Sequence, residues 1–482
     1  MPTSRRDFLG LIAAGAGIAT LAGITSRASA AARLPNIVLC MADDQGWGDM
    51  AYNGHAVLET PHFDAMAAEA FRFDRFYAAA PVCSPTRASV MTGRTPNRMG
   101  CFKWGHSLRP QEITVAEALK TAGYVTGHFG KWHLGSVQHG SPVNPGASGF
   151  DEWLSAPNYY DNDPILSREG RAVQLQGESS MVAADAAIAF MRKHADGASP
   201  FLAVVWFGSP HKPHQALDRE LEPYAGQEKE FAHFYGEITG MDRAFGKLRQ
   251  EIASLGIREN TILWYCSDNG GLPKVSRTGG RGNKGQLYEG GLRVPALLEW
   301  PARLPEHRAT SIPCVTSDIY PTLLEIAGVA VPHQPPLDGI SLVPLIDGAM
   351  DARPKPIGFW DHPTAGILTP TDTWMAELLE AQREEKEITD PARVRPDAGE
   401  IKEQYPTDTF PGHSAWLDWP WKLHRIEDKT GTVAFELYDL NKDPGESKNV
   451  LAEVPERASG MQAQLHAWLA SVVNSLNGKD YA

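Results

Sequence analysis

The sequence predicts an α/β protein, in which a sheet carries helices on both faces, followed by a second, smaller unit. Short apolar runs alternate with helical stretches over most of the chain, and the texture changes after about residue 348. The length of 482 residues suits two or three packed units. Hydrophobic residues make up 42% and charged residues 21%, which excludes a disordered, collagen-like or coiled-coil chain.

The main unit is assigned to residues 31–350. Its apolar runs predict buried strands at 36–41, 124–129, 201–207 and 261–266. Helices are predicted at 60–70, 85–94, 114–123, 179–194 and 231–255. Thr60 and Pro61 form a typical helix start, and Thr114 with Glu117 forms a capping box.

The smaller unit is assigned to residues 351–482. It begins with a highly charged stretch, about 371–405, which is predicted to be helical and to form a surface insertion. This insertion is either a solvated arm or part of a substrate rim. Short strands are predicted at 419–424 and 435–440, with a turn at 441–445 and a final helix at 455–476.

The N-terminus, residues 1–30, has the pattern of a twin-arginine export signal. Arg5 and Arg6 precede a mildly apolar run, and Ala28-Ser29-Ala30 offers a cleavage site. A membrane anchor is less favoured because the run is short and rich in Ala and Gly. We therefore expect export by the twin-arginine machinery to the periplasm or the medium, without a stable membrane anchor.

Charge and cysteine content narrow the function classes further. Lys and Arg number 45 and Asp and Glu 58, so the net charge of −13 excludes a general nucleic-acid binder. A local basic pocket remains compatible with this charge. The five cysteines include no CxxC pair, which argues against a disulfide scaffold or a structural zinc site.

Polar clusters follow all four strong strands, at the edge where α/β sheets bind ligands. Asp43 and Asp44 follow the first strand, and Asp268 and Asn269 follow the strand at 261–266. Their oxygen ligands suit Ca²⁺ or Mg²⁺ rather than zinc. Either pair alone could be simple turn chemistry, and the occurrence of two pairs favours a metal site.

The segment from Cys83 to Arg87 has the pattern C-x-P-x-R. Pro85 suits the first turn of a helix, so Cys83 is predicted at a helix N-terminus, where backbone N–H groups favour an anion. Arg87, about one turn further on, would face the same pocket. A lone thiol is more often a core residue, but the surrounding pattern favours a functional one.

On these motifs the chain resembles the type I sulfatases of the alkaline phosphatase superfamily. The motifs that carry the resemblance are residues 35–49, 83–94, 130–135, 267–270 and 285–295. The stretch 149–159 is similar to the arylsulfatase A and N-acetylgalactosamine-6-sulfatase branch. The resemblance implies a large mixed, mostly parallel sheet flanked by helices, a smaller C-terminal α+β subdomain and a sulfated saccharide as substrate.

The same resemblance implies a modified nucleophile. A formylglycine-generating enzyme would oxidise Cys83 to formylglycine, and the hydrated aldehyde would attack sulfur, become sulfated and be restored as sulfate leaves. The cation, Ca²⁺ or alternatively Mg²⁺, would be held by Asp43, Asp44, Asp268, Asn269 and the modified Cys83.

Further roles follow from the family motifs. Arg87 would stabilise the formylglycine hydroxyls. Lys131 and His133 would lie beside the hydrated aldehyde, and His133 would act as the base for hemiacetal breakdown. His211 would contact sulfate and protonate the leaving oxygen, and Lys284 would neutralise sulfate charge. One sulfate-contacting serine of the family has no clear counterpart, and Ser155, Asn158 and Tyr159 are its candidates.

Two other functions stay open at this point. One is a phosphoester or phosphonate-ester hydrolase on the same fold, and the other is a non-catalytic sulfate- or glycan-binding protein with unmodified Cys83. A two-zinc phosphatase is disfavoured because no His-rich second metal site is evident. Five aromatic side chains are candidates for sugar subsites or, equally, for packing between the two units: Trp360, His362, His413, Trp416 and Trp419.

Overall fold

The computed structural model describes residues 33–481. The export signal predicted at residues 1–30 lies outside this range. Within residues 33–481, no helix combines the length and the apolar character needed to cross a bilayer.

The described part of the chain contains fifteen strands, twelve α-helices and five short 3-10 helices. The strands are β1 Asn36–Ala42, β2 Phe71–Tyr77, β3 Val125–Lys131, β4 Glu152–Ala156, β5 Ile165–Arg168, β6 Arg171–Gln174, β7 Phe201–Trp206, β8 Thr261–Ser267, β9 Arg293–Glu299, β10 Arg308–Thr310, β11 Cys314–Val315, β12 Ile357–Asp361, β13 His413–Asp418, β14 Trp421–Glu427 and β15 Val433–Asp439. The helices are α1 Pro61–Glu69, α2 Cys83–Thr92, α3 Val115–Lys120, α4 Ser179–His194, α5 Asp218–Leu221, α6 Lys229–Ser254, α7 Glu289–Leu292, α8 Ile319–Ala327, α9 Val343–Ile346, α10 Thr371–Arg383, α11 Pro391–Val394 and α12 Pro455–Leu476.

Eleven strands form one large sheet in the order β10-β2-β9-β8-β1-β7-β3-β4-β5-β6, with β11 also paired to β2. The central strands β8, β1, β7, β3 and β4 run parallel. Strand β9 is antiparallel to both its neighbours, and β5 and β6 extend the other side in antiparallel fashion. The predicted mixed, mostly parallel sheet is thus confirmed.

Helices cover both faces of this sheet because the central strands are apolar on both faces. In β1, Ile37 and Leu39 join a core cluster with α2, α3 and α8, whereas Val38 and Cys40 join the opposite cluster with α1, α4 and α6. All seven residues of β1 are buried. The four strands and the long helices predicted for this part are confirmed.

The last part of the chain contributes a four-stranded antiparallel sheet in the order β12-β13-β14-β15. One face packs on α12 through Trp416, Leu423 and Leu469. The other face, including Phe359 and Leu417, packs against Tyr77 and Leu287 of the main part. The predicted strands at 419–424 and 435–440 correspond to β14 and β15, and the final helix is confirmed as α12.

The charged stretch at about 371–405 is less helical than predicted. Only α10 and the single turn of α11 form there, and residues 395–405 contain no helix. Pro391 starts α11, while Arg395 adopts a left-handed backbone with φ of 56° and ends it. Ion pairs such as Arg393–Glu377 tie this stretch together without requiring continuous helix.

Candidate active site

The polar clusters predicted from the sequence meet at the carboxyl edge of the central strands. Asp43 and Asp44 follow β1, Asp268 follows β8, and Lys131 ends β3. Ligand atoms of Asp43, Cys83 and Asp268 lie within 4.8 Å of one another. Strands β8, β1, β7 and β3 are adjacent in the sheet and run parallel, so their carboxyl ends lie side by side and bring these residues together.

Cys83 is the first residue of α2, as predicted, and its side chain is buried. Val82 before it is extended, and Gly93 ends the helix in a left-handed conformation with φ of 71°. Burial raises the pKa of the Cys83 thiol, although Lys131 and Lys284 oppose the rise. An unmodified thiol is therefore protonated here and a weak nucleophile.

Arg87 lies one turn into α2 and holds two parts of the site together. Its Nε and Nη2 donate to Asp268 Oδ2 at 3.0 and 2.6 Å, and its Nη1 donates to the carbonyl of Lys131 at 3.1 Å. The side chains of Arg87 and Asp268 are fully buried. Arg87 thus fixes the end of β8 relative to the end of β3.

Two lysines neutralise the other carboxylates. Lys131 Nζ donates to Asp43 Oδ2 at 2.6 Å, and Lys284 Nζ lies 2.6 and 2.7 Å from the two oxygens of Asp44. Burial disfavours the charged form of Asp44, but the charges of Lys284 and its neighbours outweigh burial and lower the pKa of Asp44. Three cations and three carboxylates balance in this pocket: Arg87, Lys131, Lys284, Asp43, Asp44 and Asp268.

The donor set fits a hard divalent cation. Asp43 Oδ1 and Asn269 Oδ1 are buried without a hydrogen-bond partner among residues 33–481. Asn269 Nδ2 donates to Asp44 Oδ1 at 2.9 Å, which leaves the amide oxygen free for another ligand. Burial and the nearby Asp43 raise the pKa of Asp268 to about 6 despite Arg87. Oxygen atoms concentrated in this way suit Ca²⁺ or Mg²⁺, and a divalent ion would make the balanced pocket positive.

Two histidines reach the same pocket in their neutral form. Burial and the charge of Lys131 lower the pKa of His133 well below its usual value. Burial and Lys284 lower the pKa of His211 to about 3. His211 Nδ1 donates to the carbonyl of Lys212 at 2.6 Å, so its Nε2, 3.7 Å from Asp44 Oδ2, is the atom able to accept a proton.

The structure reduces the number of candidates for the counterpart of the family's sulfate-contacting serine. Ser155 lies within β4 and its hydroxyl bonds His128 Nδ1 at 2.7 Å inside the sheet. Tyr159 instead stacks on the ring of His211, with centroids 4.1 Å apart. Asn158 lies beside it with Oδ1 buried and unpartnered among the described residues. Asn158 and Tyr159 therefore remain candidates, and Ser155 does not.

Sequence reasoning missed Thr369. Its hydroxyl lies 3.5 Å from His133 Nε2, and its carbonyl accepts from Asn158 Nδ2 at 3.3 Å. Thr369 comes from the loop between β12 and α10, far along the chain from every other site residue. No local motif marks it.

Two of the five aromatic candidates for sugar subsites are buried in the core of the smaller unit. Trp360 and Trp416 are 3% and 7% exposed and lie in the core between the small sheet and α12. His413 Nε2 lies 2.9 Å from His424 Nδ1, and the Arg75 guanidinium lies 4.0 Å from the centroid of the Trp419 ring. His362 stacks on Phe102 at 4.4 Å between centroids. Trp360 and Trp416 are therefore packing residues, but they pack inside the smaller unit and not between the two units.

Comparisons with known proteins point to one family. The family model Sulfatase matches residues 35–329, which is more than half of the chain. N-acetylgalactosamine-6-sulfatase of Canis lupus familiaris is 33% identical over 68% of this chain and 69% of its own length. Arylsulfatase A of Homo sapiens is 30% identical over 88% of this chain and 85% of its own.

Solved structures share the fold. Ps i-CgsB, described in complex with k-i-k-neocarrahexaose, superposes with a TM-score of 0.76 at 23% identity, covering 90% of this chain and 93% of its own. A second, described in complex with its substrate D-glucosamine-2-N,6-O-disulfate, has a TM-score of 0.70 at 19% identity, covering 93% and 99%.

Proposed function

The chain belongs to the sulfatase family of sulfuric ester hydrolases, and we propose that it is an exported enzyme that removes sulfate from a sulfated carbohydrate. The observation that carries the proposal is the buried pocket in which the Cys83 thiol meets Asp43 and Asp268. Lys131, Lys284 and Arg87 balance the three carboxylates there, so a bound divalent cation would make the pocket net positive. The arrangement suits a small tetrahedral anion.

Cys83 acts in its formylglycine form. A protonated thiol buried beside two carboxylates would be a poor nucleophile, so the site requires a different reacting group. Conversion would break the Cβ–S bond and one Cβ–H bond and form a carbonyl, with sulfur leaving as sulfide and a two-electron oxidant supplied through a formylglycine-generating enzyme. When present, the hydrated aldehyde supplies the nucleophilic oxygen.

Ca²⁺, or alternatively Mg²⁺, is held by the oxygens of Asp43, Asp44, Asp268 and Asn269 together with the modified Cys83. The unpartnered Asp43 Oδ1 and Asn269 Oδ1 support this assignment. When bound, the cation supplies Lewis-acid polarisation of the sulfate group.

The remaining side chains handle charge and protons. Lys131 and Lys284 neutralise the sulfate oxygens, and Arg87 holds Asp268 in place. A bound sulfate brings negative charge beside His211, which raises its pKa and allows Nε2 to carry a proton to the leaving alcohol. His133, neutral and with Nδ1 unpartnered among the described residues, accepts a proton as sulfate is released.

A sugar is the proposed alcohol because the relatives at 30% identity or more include N-acetylgalactosamine-6-sulfatase. Twin-arginine export, to the periplasm or the medium, is proposed from Arg5 and Arg6 with the following apolar run. The phosphoester alternative is not favoured, because the matched family and the relatives named above are sulfatases.

The test is substrate hydrolysis by the chain produced together with a formylglycine-generating enzyme. A panel of sulfated mono- and oligosaccharides is compared with the corresponding phosphate esters under single-turnover conditions. We expect sulfate release from at least one sugar sulfate, faster than phosphate release from its phosphate counterpart. Faster phosphate release would overturn the proposal.

A further inference from the structure

Two large exposed apolar side chains lie next in sequence to residues that contact the active site. Only four large hydrophobic residues are exposed within residues 33–481, and Trp104 and Leu368 are two of them, at 38% and 73%. The backbone N–H of Ile367 donates to the carbonyl of Trp104 at 2.9 Å. The two segments that carry these side chains are therefore joined, and we call Trp104 and Leu368 together the apolar rim.

The apolar rim is tied to the catalytic residues on two sides. Gly105, next to Trp104, donates its N–H to the hydroxyl of Ser84 at 2.9 Å, and Ser84 follows Cys83 directly. Thr369, next to Leu368, lies beside His133. Gly105 and Thr369, which are adjacent in sequence to the two rim residues, therefore connect the apolar rim to the pocket.

The indole of Trp104 is held in a fixed position. A Cβ added at Gly366 would lie 2.2 Å from Trp104 Cε2, so the glycine packs directly on the ring. Gly105 has φ of 77°, and a Cβ there would lie 1.9 Å from the carbonyl oxygen of Ile367. These two glycines allow the loop and the ring to approach closely, and this contact restricts where the indole can lie.

The buried pocket accounts only for the sulfate group. Its charged side chains are almost wholly enclosed, and the partly exposed ones, His211 and Lys284, have 19% and 18% of their side chains exposed. The alcohol portion of a substrate must therefore lie outside the charged pocket, along its rim. Lys103, beside Trp104, is paired with Asp361, so its charge is balanced.

We propose that Trp104 and Leu368 form the subsite for the sugar ring that bears the sulfate, with the apolar C–H face of the ring against the indole. An aromatic face whose neighbouring lysine is already paired favours a neutral pyranose there over a second anionic group. The inference rests on the proposed function and deepens it by assigning the residues that recognise the alcohol.

The test measures kcat and KM with the sugar sulfate that the parent protein, without substitutions, hydrolyses best. We expect Trp104→Ala to raise KM roughly tenfold, the effect of one lost stacking contact, with a smaller change in kcat. Trp104→Phe keeps an aromatic face and should recover most of the loss. Val433→Ala is the matched control, because Val433 is 39% exposed on β15 and has no link to the site.

Conversion of Cys83 is measured by mass in every variant, so that a change in modification is not mistaken for a change in binding. An unchanged KM in Trp104→Ala, or an equal rise in Val433→Ala, would overturn the rim assignment while leaving the sulfatase proposal intact. Hydrolysis of aryl sulfates but of no sugar sulfate would overturn the assigned occupant. Absence of any sulfate release by the parent chain would overturn the proposed function itself.

Discussion

Substitutions in the buried ion pair of Arg87 and Asp268 should affect stability and activity differently. Both side chains are fully buried, and two guanidinium nitrogens bond the same carboxylate oxygen at 2.6 and 3.0 Å. Replacing Arg87 by Met leaves a buried carboxylate unpaired and the carbonyl of Lys131 without its donor. Breaking such a pair costs about 3–5 kcal/mol, a large part of a typical 5–15 kcal/mol total.

We expect Arg87→Met to lower the free energy of unfolding by about that amount and to abolish sulfate release. The double variant Arg87→Met/Asp268→Leu removes both charges and should regain most of the stability, because well-packed apolar replacements of buried pairs are close to neutral. It should remain inactive. Urea unfolding followed by tryptophan fluorescence gives the stability, and sulfate release per folded molecule gives the activity.

The matched control is the pair Arg353–Asp318, which is equally buried but lies outside the site. Its two bonds measure 2.7 and 2.8 Å, and its side chains are 4% and 0% exposed. Arg353→Met should lose comparable stability yet keep the kcat of the parent chain. The reasoning is refuted if Arg87→Met unfolds at the urea concentration of the parent chain, or if Arg353→Met loses turnover as completely.

Two further predictions concern the nucleophile and the cation. Cys83→Ala should abolish turnover while the thermal unfolding midpoint stays near that of the parent chain, and substantial residual activity would contradict the formylglycine mechanism. Asp268→Ala should lower activity and bound Ca²⁺ together, measured by elemental analysis of the dialysed protein. An unchanged metal content would remove Asp268 from the ligand set.

Strands β1, β7 and β8 could be predicted because each is a nearly continuous apolar run whose residues are all buried. Strands β2 and β9 escaped prediction for a physical reason. β2 interrupts its phenylalanines with Arg72, Asp74 and Arg75, since it lies near the edge of the sheet. β9 contains Pro295, which faces an irregularity in β2 between Phe73 and Phe76.

Only those site residues that directly follow an apolar strand could be placed from the sequence. Asp43 and Asp268 directly follow apolar strands, so the sequence alone places them at the ligand-binding edge of the sheet. Thr369 and Trp104 follow no such strand. They reach the site through loop contacts made across the chain, such as Ile367 with Trp104, and these contacts leave no periodic or compositional pattern.

The most direct test of the account is the mass of the tryptic peptide 76–87, which spans Cys83 between two arginine cleavage sites. The peptide is taken from fully active protein produced with a formylglycine-generating enzyme. We predict a mass about 18 Da below that of the thiol form, the difference between a thiol and an aldehyde side chain. Active protein in which this peptide retains the mass of an ordinary thiol throughout would contradict the account.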